Sequence, residues 1–580
     1  MKTVNQPLAR SRSPANAPSP GRPADAKPDG VRETVEAFVV AFIFAFLFWT
    51  FEAEGFEIPT GSMATTLMGR HKDVICLQCG YAYQVGASEE IDQKTNSRLA
   101  RDVATATCPI CRYTMNVAAV DSQPGSETSY RGDRIWVSKG TYRFTEPQRW
   151  DVAVFKFPEG AKENYIKRLV GLPGETIRIQ HGDIFVDGAR GSAASTIARK
   201  PPAKIRAMLQ PVYDNDHRVE KLHQEGWPHR WQPAPNPSVS SAEGWKPLEG
   251  GKAFRVQAPQ ETEEWLRYQH IVPSYEDWQL VLAGEWPRDR LPRPQLISDF
   301  CHYNTGQTRD KDPAPEARAI GQHWVGDLYL ECRLDIEGST GTVTLELVEG
   351  GRRFQCVLDV ATGEATLGIR GVESFRPRAA TALRGPGRYL VAFANIDDQL
   401  VLWIDGSVVE FNVPTGYPPL RNTVPTVDDL SPVGIAARGA TLRVDHLRIC
   451  RDVYYVAATS GDERFSDYLY NAHLTPKATR ENIARFLSDP ARWNVFRELS
   501  FRDFELRDDE FLVLGDNSPN SSDSRFWHPE EFFVRRELLI GKAFFIYWPH
   551  AWETHPSIRI PWTEKRFPFY PNFARMGPIR

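Results

Sequence analysis

The stretch DVAVFKFPEGAKENYIKRLVGLPGETIRIQHGDIFVDG, residues 151–188, decides the fold class. Its short apolar alternations are separated by the turn-forming sequences FPEG, LPGE and QHGD, a pattern typical of consecutive antiparallel strands joined by tight turns. In NYIKRLV, residues 164–170, alternate side chains share a face, so Lys167 lies on the same face as Tyr165 and Leu169. The strand pattern alone leaves two alternatives for this lysine: an edge residue that snorkels to water, or an amine shielded from water.

Length and composition limit the classes of protein that this sequence can represent. A chain of 580 residues exceeds what one hydrophobic core usually supports, so several domains are expected. The net charge of −4 provides no basic field for nucleic acid, which is therefore not expected as a partner. The 44 prolines and 16 tryptophans, together with scarce helical periodicity, favour a mainly β protein.

The N-terminal region is predicted to anchor the chain in a lipid bilayer. Residues 1–32 are rich in Pro, Ala and Ser and are predicted to form a disordered cytoplasmic tail. Residues 33–56 are predicted to form a single transmembrane anchor, because 37–51 is an uncharged apolar run with basic residues before it and Glu52 and Glu54 after it. This charge asymmetry places the N-terminus in the cytoplasm. A cleaved signal peptide and a buried core helix remain as alternatives.

Two further motifs flank the lysine strand in the chain. IPTGSM, residues 58–63, contains Ser62, and GDNSPNSSDSR, residues 515–525, follows the apolar run FLVL. In the order IPTGSM, YIKRLVGLPG and GDNSPNSSDSR, the sequence resembles the type I signal peptidases, the serine/lysine proteases that remove signal peptides. The trailing LLIGKAFFIYWP, residues 538–549, resembles the strand that closes that catalytic fold.

The resemblance implies a membrane-bound serine endopeptidase that cleaves N-terminal signal peptides from exported preproteins without a catalytic cofactor. It implies a single-pass protein of the inner membrane, with the catalytic domain on the extracytoplasmic side. The chemistry explains the residue types. A serine hydroxyl needs a base to take its proton, and a lysine can act as that base only when it is neutral. Burial disfavours the ammonium form and lowers the pKa of a lysine enough for this role.

The resemblance also implies a role for individual residues. Ser62 is the expected nucleophile and Lys167 the expected general base. Ser521 is expected to hydrogen-bond the lysine amine and to orient it. The backbone N–H of Ser62 and the hydroxyl of Thr60 are expected to bind the oxyanion.

Other residues are assigned supporting roles. The family often has a basic residue where this chain has Ser518, which leaves the bracing of the loop open. An extended substrate added to exposed strands would place its small side chains in pockets. The residues expected to support the loop are Asp516, Asp523 and Arg525, and those expected to line the substrate pockets are Ile58, Met63 and Tyr165.

Residues 76–118 form a first insertion that resembles a zinc ribbon. CLQC and CPIC provide Cys76, Cys79, Cys108 and Cys111, two C-x2-C pairs with 28 residues between them. Four thiolates satisfy tetrahedral Zn²⁺, so a structural zinc site is expected. Because the predicted topology places these cysteines outside the cytoplasm, disulfides remain the alternative.

Residues 228–455 form a second and larger insertion. Its alternating runs, among them GTVTLELVEG and DDQLVLWIDGSVV, predict an antiparallel β-sandwich, and they resemble laminin-G-like or concanavalin-like sandwiches. The resemblance implies a glycan or protein ligand, although the fold alone does not establish one. Cys332 and Cys356 are expected on neighbouring strands, where they could pair.

The sequence thus predicts a mainly β protein with an N-terminal transmembrane helix, a signal-peptidase-type β catalytic core, an inserted antiparallel β-sandwich and a small zinc-ribbon-like insertion. The remaining boundaries are a catalytic core of 57–75, 119–188 and 506–550, a linker of 189–227, a helical connection of 456–505 and a C-terminal strap of 551–580.

Two alternative functions and one alternative mechanism remain. One is a membrane-tethered binding protein that uses the sandwich and the ribbon, and another is a Ser/Lys protease that processes other membrane or surface proteins. The third is a Ser/His/Asp mechanism using His71 and Asp73, which is disfavoured because the chain contains no G-x-S-x-G motif.

Overall fold

The computed structural model divides the chain into two compact units, residues 1–52 and 53–580. In the first unit, residues 34–43 form a helix with exposed side chains. Within the described parts of the chain, no helix is both long and apolar enough to cross a membrane. The expected disordered tail and residues 44–52 of the expected anchor lie outside the described residues. The structure describes residues 34–43, 53–92, 95, 97–99, 101–117, 129–187, 195–234, 244–287, 289–309, 311, 317–419, 424–457, 467–468, 480–552 and 570–580.

The second unit begins with strands that alternate between the small ribbon and a sheet that contains Lys167, which we name the catalytic sheet after its expected role. The stretch around Lys167 folds into antiparallel strands, as its alternating pattern predicts. The strands up to residue 197 are β1 (Ala53–Glu57), β2 (His71–Ile75), β3 (Ala82–Gly86), β4 (Val103–Thr107), β5 (Thr114–Asn116), β6 (Arg134–Ser138), β7 (Val152–Lys156), β8 (Asn164–Gly171), β9 (Thr176–Gln180), β10 (Asp183–Asp187) and β11 (Ser195–Ile197).

The middle of the chain forms the predicted β-sandwich. Its strands are β12 (Gln210–Asp214), β13 (Trp231–Pro233), β14 (Lys246–Leu248), β15 (Ala253–Gln257), β16 (Glu264–Tyr268), β18 (Leu328–Ile336), β19 (Thr342–Glu349), β20 (Arg352–Asp359), β21 (Glu364–Ile369), β22 (Arg378–Ala380), β23 (Gly387–Ile396), β24 (Gln399–Ile404), β25 (Ser407–Val408), β26 (Val433–Arg438) and β27 (Thr441–Arg451). The short strand β17 (Gln307–Thr308) lies in the same part of the chain but pairs with β4 of the ribbon. One sheet has the order β14-β15-β27-β18-β23-β24-β25 with β12 beside β27, and the facing sheet has the order β13-β16-β26-β19-β20-β21-β22.

The C-terminal part returns to the catalytic sheet. Its strands are β28 (Phe501–Glu505), β29 (Glu510–Leu514), β30 (Val534–Arg535), β31 (Leu539–Trp548), β32 (Ala551–Trp552), β33 (Tyr570–Pro571) and β34 (Gly577–Pro578). The catalytic sheet has the order β1-β6-β31-β7-β8-β29-β30, with β34 beside β31. A second sheet, β11-β10-β9-β28, extends the core. Three separated parts of the chain therefore build one catalytic core.

Helices are few and short in the second unit. The α-helices there are α1 (Thr141–Phe144), α2 (Pro202–Met208), α3 (Glu220–Gln224), α4 (Tyr275–Ala283), α5 (Ala317–Ile320) and α6 (Arg480–Leu487). The 3-10 turns are Gly61–Met63, Ser88–Glu90, Glu249–Gly251, His302–Asn304, Val427–Leu430, Pro490–Glu498, Ser518–Asn520, Arg536–Leu538 and Phe573–Arg575.

Several expected boundaries differ from the structure because strand pairing crosses them. The strand β1 begins at Ala53, inside the expected anchor, and pairs with β6. The expected linker contains β12, which pairs with β27 of the sandwich. The expected helical connection ends in β28, which pairs with β9, and the expected strap contains β34, which pairs with β31. Short pairing segments of this kind lack an alternating pattern long enough to be recognised in the sequence.

The expectation that Cys332 and Cys356 lie on neighbouring strands, where they could pair, is wrong. Cys332 lies on β18 and Cys356 on β20, which belong to different sheets of the sandwich. Both side chains are buried, and all eight cysteines of the chain are free thiols. Consecutive alternating runs do not specify which sheet each strand joins, so the sequence placed the two strands side by side incorrectly.

Candidate active site

Ser62 and Lys167 are brought together from a turn after β1 and from the strand β8. Ser62 lies in the 3-10 turn Gly61–Met63, which follows β1, and Lys167 lies on β8. The strands β1 and β8 are four places apart in the sheet, yet the turn contacts β8, so the sheet curls on itself. The Nζ atom of Lys167 lies 2.8 Å from Oγ of Ser62, within hydrogen-bonding distance.

Lys167 is almost fully enclosed by protein. Its side chain is 4% exposed, and Nζ also donates a hydrogen bond of 3.1 Å to the carbonyl of Ile166. Burial lowers the pKa of Lys167 from 10.5 to about 8, although the negative charges of Asp523 and Asp516 act in the opposite direction. A lysine of this pKa is partly neutral near neutral pH, which is the state that a general base requires.

The loop after β29 carries the buried ion pair that the resemblance implies. Arg525 and Asp523 are fully buried and lie 2.7 Å apart, and Asp523 accepts a hydrogen bond from the backbone N–H of Gly515. Arg525 also donates hydrogen bonds of 2.8 and 2.9 Å to the hydroxyl and the carbonyl of Ser518. Ser518 therefore takes part in the bracing of the loop, although it departs from the basic residue of the family.

Ser521 lies next to the pair but does not bond to it in this structure. Its side chain is 2% exposed, and its hydroxyl has no hydrogen-bond partner among the described residues. The hydrogen bond to Lys167 that the resemblance implies is therefore absent here. A Cβ on Gly515 would lie 2.2 Å from Oγ of Ser521 and 2.4 Å from the carbonyl oxygen of Ser62, so only glycine fits between the two serines.

Arg168 is a site residue that the sequence reasoning missed. Its guanidinium makes two hydrogen bonds, of 2.7 and 2.6 Å, to the carboxylate of Asp516, and both side chains are fully buried. The pair ties β8 to the loop after β29 at the residue that follows Lys167. The signal was present in the sequence, because strand alternation places Arg168 on the face opposite Lys167, where a charged side chain needs a partner.

The large insertion also reaches the turn Gly61–Met63, which we name the nucleophile turn after the expected role of Ser62. The side chain of Asn517 donates a hydrogen bond of 2.9 Å to the carbonyl of Gly61, and its amide exchanges two hydrogen bonds of 2.8 Å with the amide of Asn304. Tyr303 packs so closely that a Cβ on Gly61 would lie 2.1 Å from its ring. Nothing in the sequence indicated these contacts, because residues 303 and 304 are separated from both motifs by more than 200 positions.

The residues expected to bind the oxyanion and to line the substrate pockets differ in their exposure to solvent. Thr60 has an extended backbone and is exposed beside the nucleophile. Ile58 and Met63 are 2% and 0% exposed and belong to the core beneath the site, while Tyr165 is half-buried and stacks on a neighbouring phenylalanine. The role of Ile58, Met63 and Tyr165 as pocket-lining residues stays a prediction.

The four cysteines of the ribbon converge on one point. All are buried, and their Sγ atoms lie within 4.8 Å of one another. The pairs Cys76–Cys111 and Cys79–Cys108 are each 3.5 Å apart, far longer than a disulfide bond of about 2.05 Å. Thiolates bound to zinc at about 2.3 Å would lie about 3.8 Å apart, so this arrangement fits a tetrahedral zinc ion.

His71 and Asp73 do not form a catalytic triad with Ser62. The Nδ1 atom of His71 lies 2.7 Å from the carbonyl of Gly69, and Nε2 lies 3.2 Å from Nδ1 of His550. His550 in turn pairs with Asp73 at 2.7 Å. Burial lowers the pKa of His71 to about 4. These contacts connect the ribbon to the end of β31. The hydrogen-bond partner of the Ser62 hydroxyl is therefore Lys167 and not His71.

Fold and site together define a class: a β-sheet protein with a buried serine and a lysine of lowered pKa in hydrogen-bonding contact. The chain matches the family described as "Signal peptidase, peptidase S26" over residues 102–224 and 443–548. The two matched ranges contain Lys167, Ser521 and the Asp523–Arg525 pair, and they are separated by most of the sandwich insertion.

Curated relatives match over short segments. The chain is 40% identical over 63 residues to "Signal peptidase I" of Leptolyngbya laminosa, which covers 10% of this chain and 31% of the relative. It is 34% identical over 61 residues to "Probable signal peptidase I-2" of Synechocystis sp., covering 10% and 28%, and 28% identical over 85 residues to "Signal peptidase I" of Bacillus amyloliquefaciens, covering 15% and 44%. The chain thus spans less than half the length of these relatives.

Similar solved structures include a carbohydrate binding module and a galectin. The carbohydrate binding module CBM66 from Bacillus subtilis is 7% identical with a TM-score of 0.21, covering 38% of this chain and 94% of that one. The galectin LEC-6 of Caenorhabditis elegans is 10% identical with a TM-score of 0.16, covering 21% and 83%. Scores this low give no argument about a ligand, so a glycan or protein partner of the sandwich stays a prediction.

Proposed function

We propose that this chain is a membrane-bound serine endopeptidase that cleaves N-terminal signal peptides from exported preproteins. The observation that carries the proposal is the contact of 2.8 Å between Ser62 and the buried Lys167, whose pKa is lowered to about 8. The match to the signal peptidase family, over ranges that include Lys167, supports the substrate class. The chemistry needs no cofactor, because the lysine itself supplies the base.

The proposed mechanism follows from this geometry. Neutral Lys167 accepts the proton of the Ser62 hydroxyl while Oγ attacks the scissile carbonyl carbon. The backbone N–H of Ser62 and the hydroxyl of Thr60 stabilise the oxyanion that forms. The ammonium of Lys167 then donates its proton to the leaving amine, and an ester between Ser62 and the signal peptide remains. Water, activated by the same lysine, hydrolyses this ester.

The supporting residues keep the lysine in place. The proposed role of Ser521 is to bond to the amine during catalysis, a contact that this structure lacks. The buried pairs Asp523–Arg525 and Asp516–Arg168 fix the loop and the strand around the lysine. Replacing one partner of such a pair leaves a buried charge without compensation, which costs about 3–5 kcal/mol. Ile58, Met63 and Tyr165 line the pockets for the small substrate side chains once the substrate strand is seated.

The proposed location is the inner membrane, with a cytoplasmic N-terminus and an extracytoplasmic catalytic domain. The apolar run at 37–51 and its flanking charges support this topology.

A zinc ion held by the four ribbon cysteines stabilises the ribbon, and the convergence of four buried sulfurs supports its presence. Three contacts hold the two cysteine turns in place: the ring nitrogens of Trp278 and His217 and the guanidinium of Arg230 lie 2.9–3.1 Å from backbone carbonyls of those turns.

Cleavage of a preprotein with an A-x-A site by detergent-solubilised full-length protein tests the proposal. Wild type should release the signal peptide, whereas Ser62→Ala and Lys167→Ala should lose about 10³-fold or more of the activity. Lys204→Ala is the matched control, because Lys204 is another partly buried lysine whose pKa burial lowers to about 8, and it is not part of the pair. Lys204→Ala should cleave at the wild-type rate.

Two results would contradict this function. Folded wild type that cleaves none of several preproteins would favour the membrane-tethered binding protein. Cleavage of mature surface proteins, without cleavage of signal peptides, would favour a Ser/Lys protease with other substrates.

A further inference from the structure

A cavity of about 690 Å³ lies where the ribbon, the sandwich insertion and the helix α6 meet. Its walls are formed by residues of all three parts, among them Thr107 of the ribbon, Trp286 of the insertion and Leu487 of the helix. Cavities of roughly 300–1,000 Å³ are the usual size for small-molecule sites. This space is separate from the serine and lysine, because neither residue lines it.

Arg112 lines this cavity, and one donor of its guanidinium is unused among the described residues. The Nη1 atom of Arg112 is buried and has no hydrogen-bond partner among the residues that the structure describes. The guanidinium carbon lies 3.3 Å from the ring centroid of Phe300, so one face of the group stacks on an aromatic ring. A buried guanidinium with an unused donor is costly unless an anion completes its hydrogen bonds.

The backbone of Arg112 has a conformation that favours glycine. Arg112 directly follows the second cysteine of its C-x2-C pair and has a φ of 61°, and Gly80, at the matching position of the other pair, has a φ of 71°. Both N–H groups make the same turn, bonding to the carbonyls of Cys108 and Cys76. Glycine adopts this conformation without strain, whereas arginine does so at a cost. An arginine therefore occupies the position at which the other cysteine pair has a glycine.

The cavity also offers an aromatic wall and further positive charge. Trp227 and Trp286 lie against each other with ring centroids 5.0 Å apart, both are 5% exposed, and Nε1 of Trp227 has no partner in the described part of the chain. Arg290 and Arg293 stand at the cavity as well. Two acidic residues, Glu276 and Asp277, also line the cavity, and the carboxylate of Asp277 faces Arg290 at 3.0 Å.

We propose that this cavity binds a small anionic ligand, with its carboxylate or phosphate group on the guanidinium of Arg112 and its planar or apolar body against Trp227 and Trp286. A guanidinium binds either anion through two parallel hydrogen bonds. An indole wall contributes a large apolar contact to the rest of the ligand. The inference concerns a binding site outside the proteolytic machinery and does not depend on the peptidase activity.

Calorimetric titration of the full-length, zinc-loaded protein in detergent tests the site with defined probes. Phenyl phosphate should bind at one site per chain and more tightly than inorganic phosphate, because only the former reaches the aromatic wall. Benzoate distinguishes a carboxylate site from a phosphate site, and phenol, which lacks the charge, should not bind. Arg112→Gln should weaken the binding of the preferred anion by at least about tenfold.

Two controls separate binding from damage to the ribbon. Arg255→Gln removes an exposed arginine that pairs with Glu337 on the sandwich, and it should bind like wild type. Zinc content and circular dichroism report whether Arg112→Gln keeps the ribbon intact. If it does not fold, Arg112→Lys retains the charge without the planar fork and should show an intermediate affinity.

Three results would overturn the proposal. One is the absence of saturable binding of all three anions to wild type. Another is equal affinity of wild type and a folded Arg112 variant. The last is binding of phenol as tight as that of phenyl phosphate, which would mark the cavity as an apolar site.

Discussion

At the scale of single residues, the amine of Lys167 loses its proton at a lower pH than the amine of an exposed lysine. Its pKa is lowered from 10.5 to about 8 because burial disfavours the ammonium. We expect kcat/KM to rise with pH through about 8 and then to level off, since the neutral amine is the active form. The measurement is kcat/KM for a preprotein between pH 6 and 10. A rate that is flat over this range would remove Lys167 as the base.

The same pKa makes a prediction about stability. Below pH 8 the folded protein holds a buried ammonium, and the depressed pKa corresponds to a penalty of about 3 kcal/mol. As pH rises from 8 to 10.5, the unfolded chain still binds the proton that the folded chain has lost, so the penalty disappears. We expect the unfolding free energy of wild type, relative to Lys167→Met, to increase over this window. Denaturant unfolding of both proteins at pH 7 and pH 10 measures it, and an unchanged difference would contradict the buried ammonium.

Ser521 gives a prediction at this scale because its hydroxyl is buried without a partner in the described structure. We expect Ser521→Ala to keep or raise Tm, since it removes an unsatisfied polar group. If Ser521 orients the lysine during catalysis, kcat should fall about tenfold or more at unchanged KM. Cleavage kinetics and thermal unfolding of the same preparation test both parts, and wild-type kcat would exclude Ser521 from positioning the amine.

At the scale of elements, the turn His302–Asn304 packs against the nucleophile turn. The ring of Tyr303 occupies the space next to Gly61, where a Cβ would lie 2.1 Å from it. We expect Gly61→Ala to lose most of its cleavage activity, because the nucleophile turn must move. The double variant Gly61→Ala with Tyr303→Ala should recover part of that loss, since the ring that clashes is gone.

The control for this pair is Gly160→Ala, an exposed glycine with no atom within 4 Å of the added Cβ. It should cleave like wild type. Losses of Gly61→Ala and Tyr303→Ala that simply add in the double variant would show that the two residues do not interact.

At the scale of the whole molecule, the ribbon and the sandwich share one hydrophobic core, in which Cys108 and Cys111 lie with sandwich residues such as Leu345 and Ile435. We expect one zinc per chain, and removal by a chelator should lower Tm by several degrees for both parts together, because they cannot unfold independently. Cys108→Ser should lose the metal. Cys450→Ser, a buried cysteine outside the cluster, should keep it.

Metal analysis measures the zinc content of each variant, and calorimetry measures the unfolding transitions before and after chelation. Two separate unfolding transitions after chelation would contradict a shared core. Retention of zinc by Cys108→Ser would place the metal elsewhere.

Short patterns in the sequence by themselves determined that the protein is mainly β. They also identified Ser62 and Lys167, the ion pair of the loop and the four cysteines of the ribbon as candidate site residues. These features depend on alternation, turn residues and short motifs, which are encoded within a few positions of the chain. Only the tertiary structure decided which strands pair, that Arg168 is the partner of Asp516, that Asn304 and Tyr303 reach the nucleophile turn, and that Arg112 faces a cavity. Contacts between residues hundreds of positions apart depend on how complete sheets pack, and a local pattern carries no information about that packing.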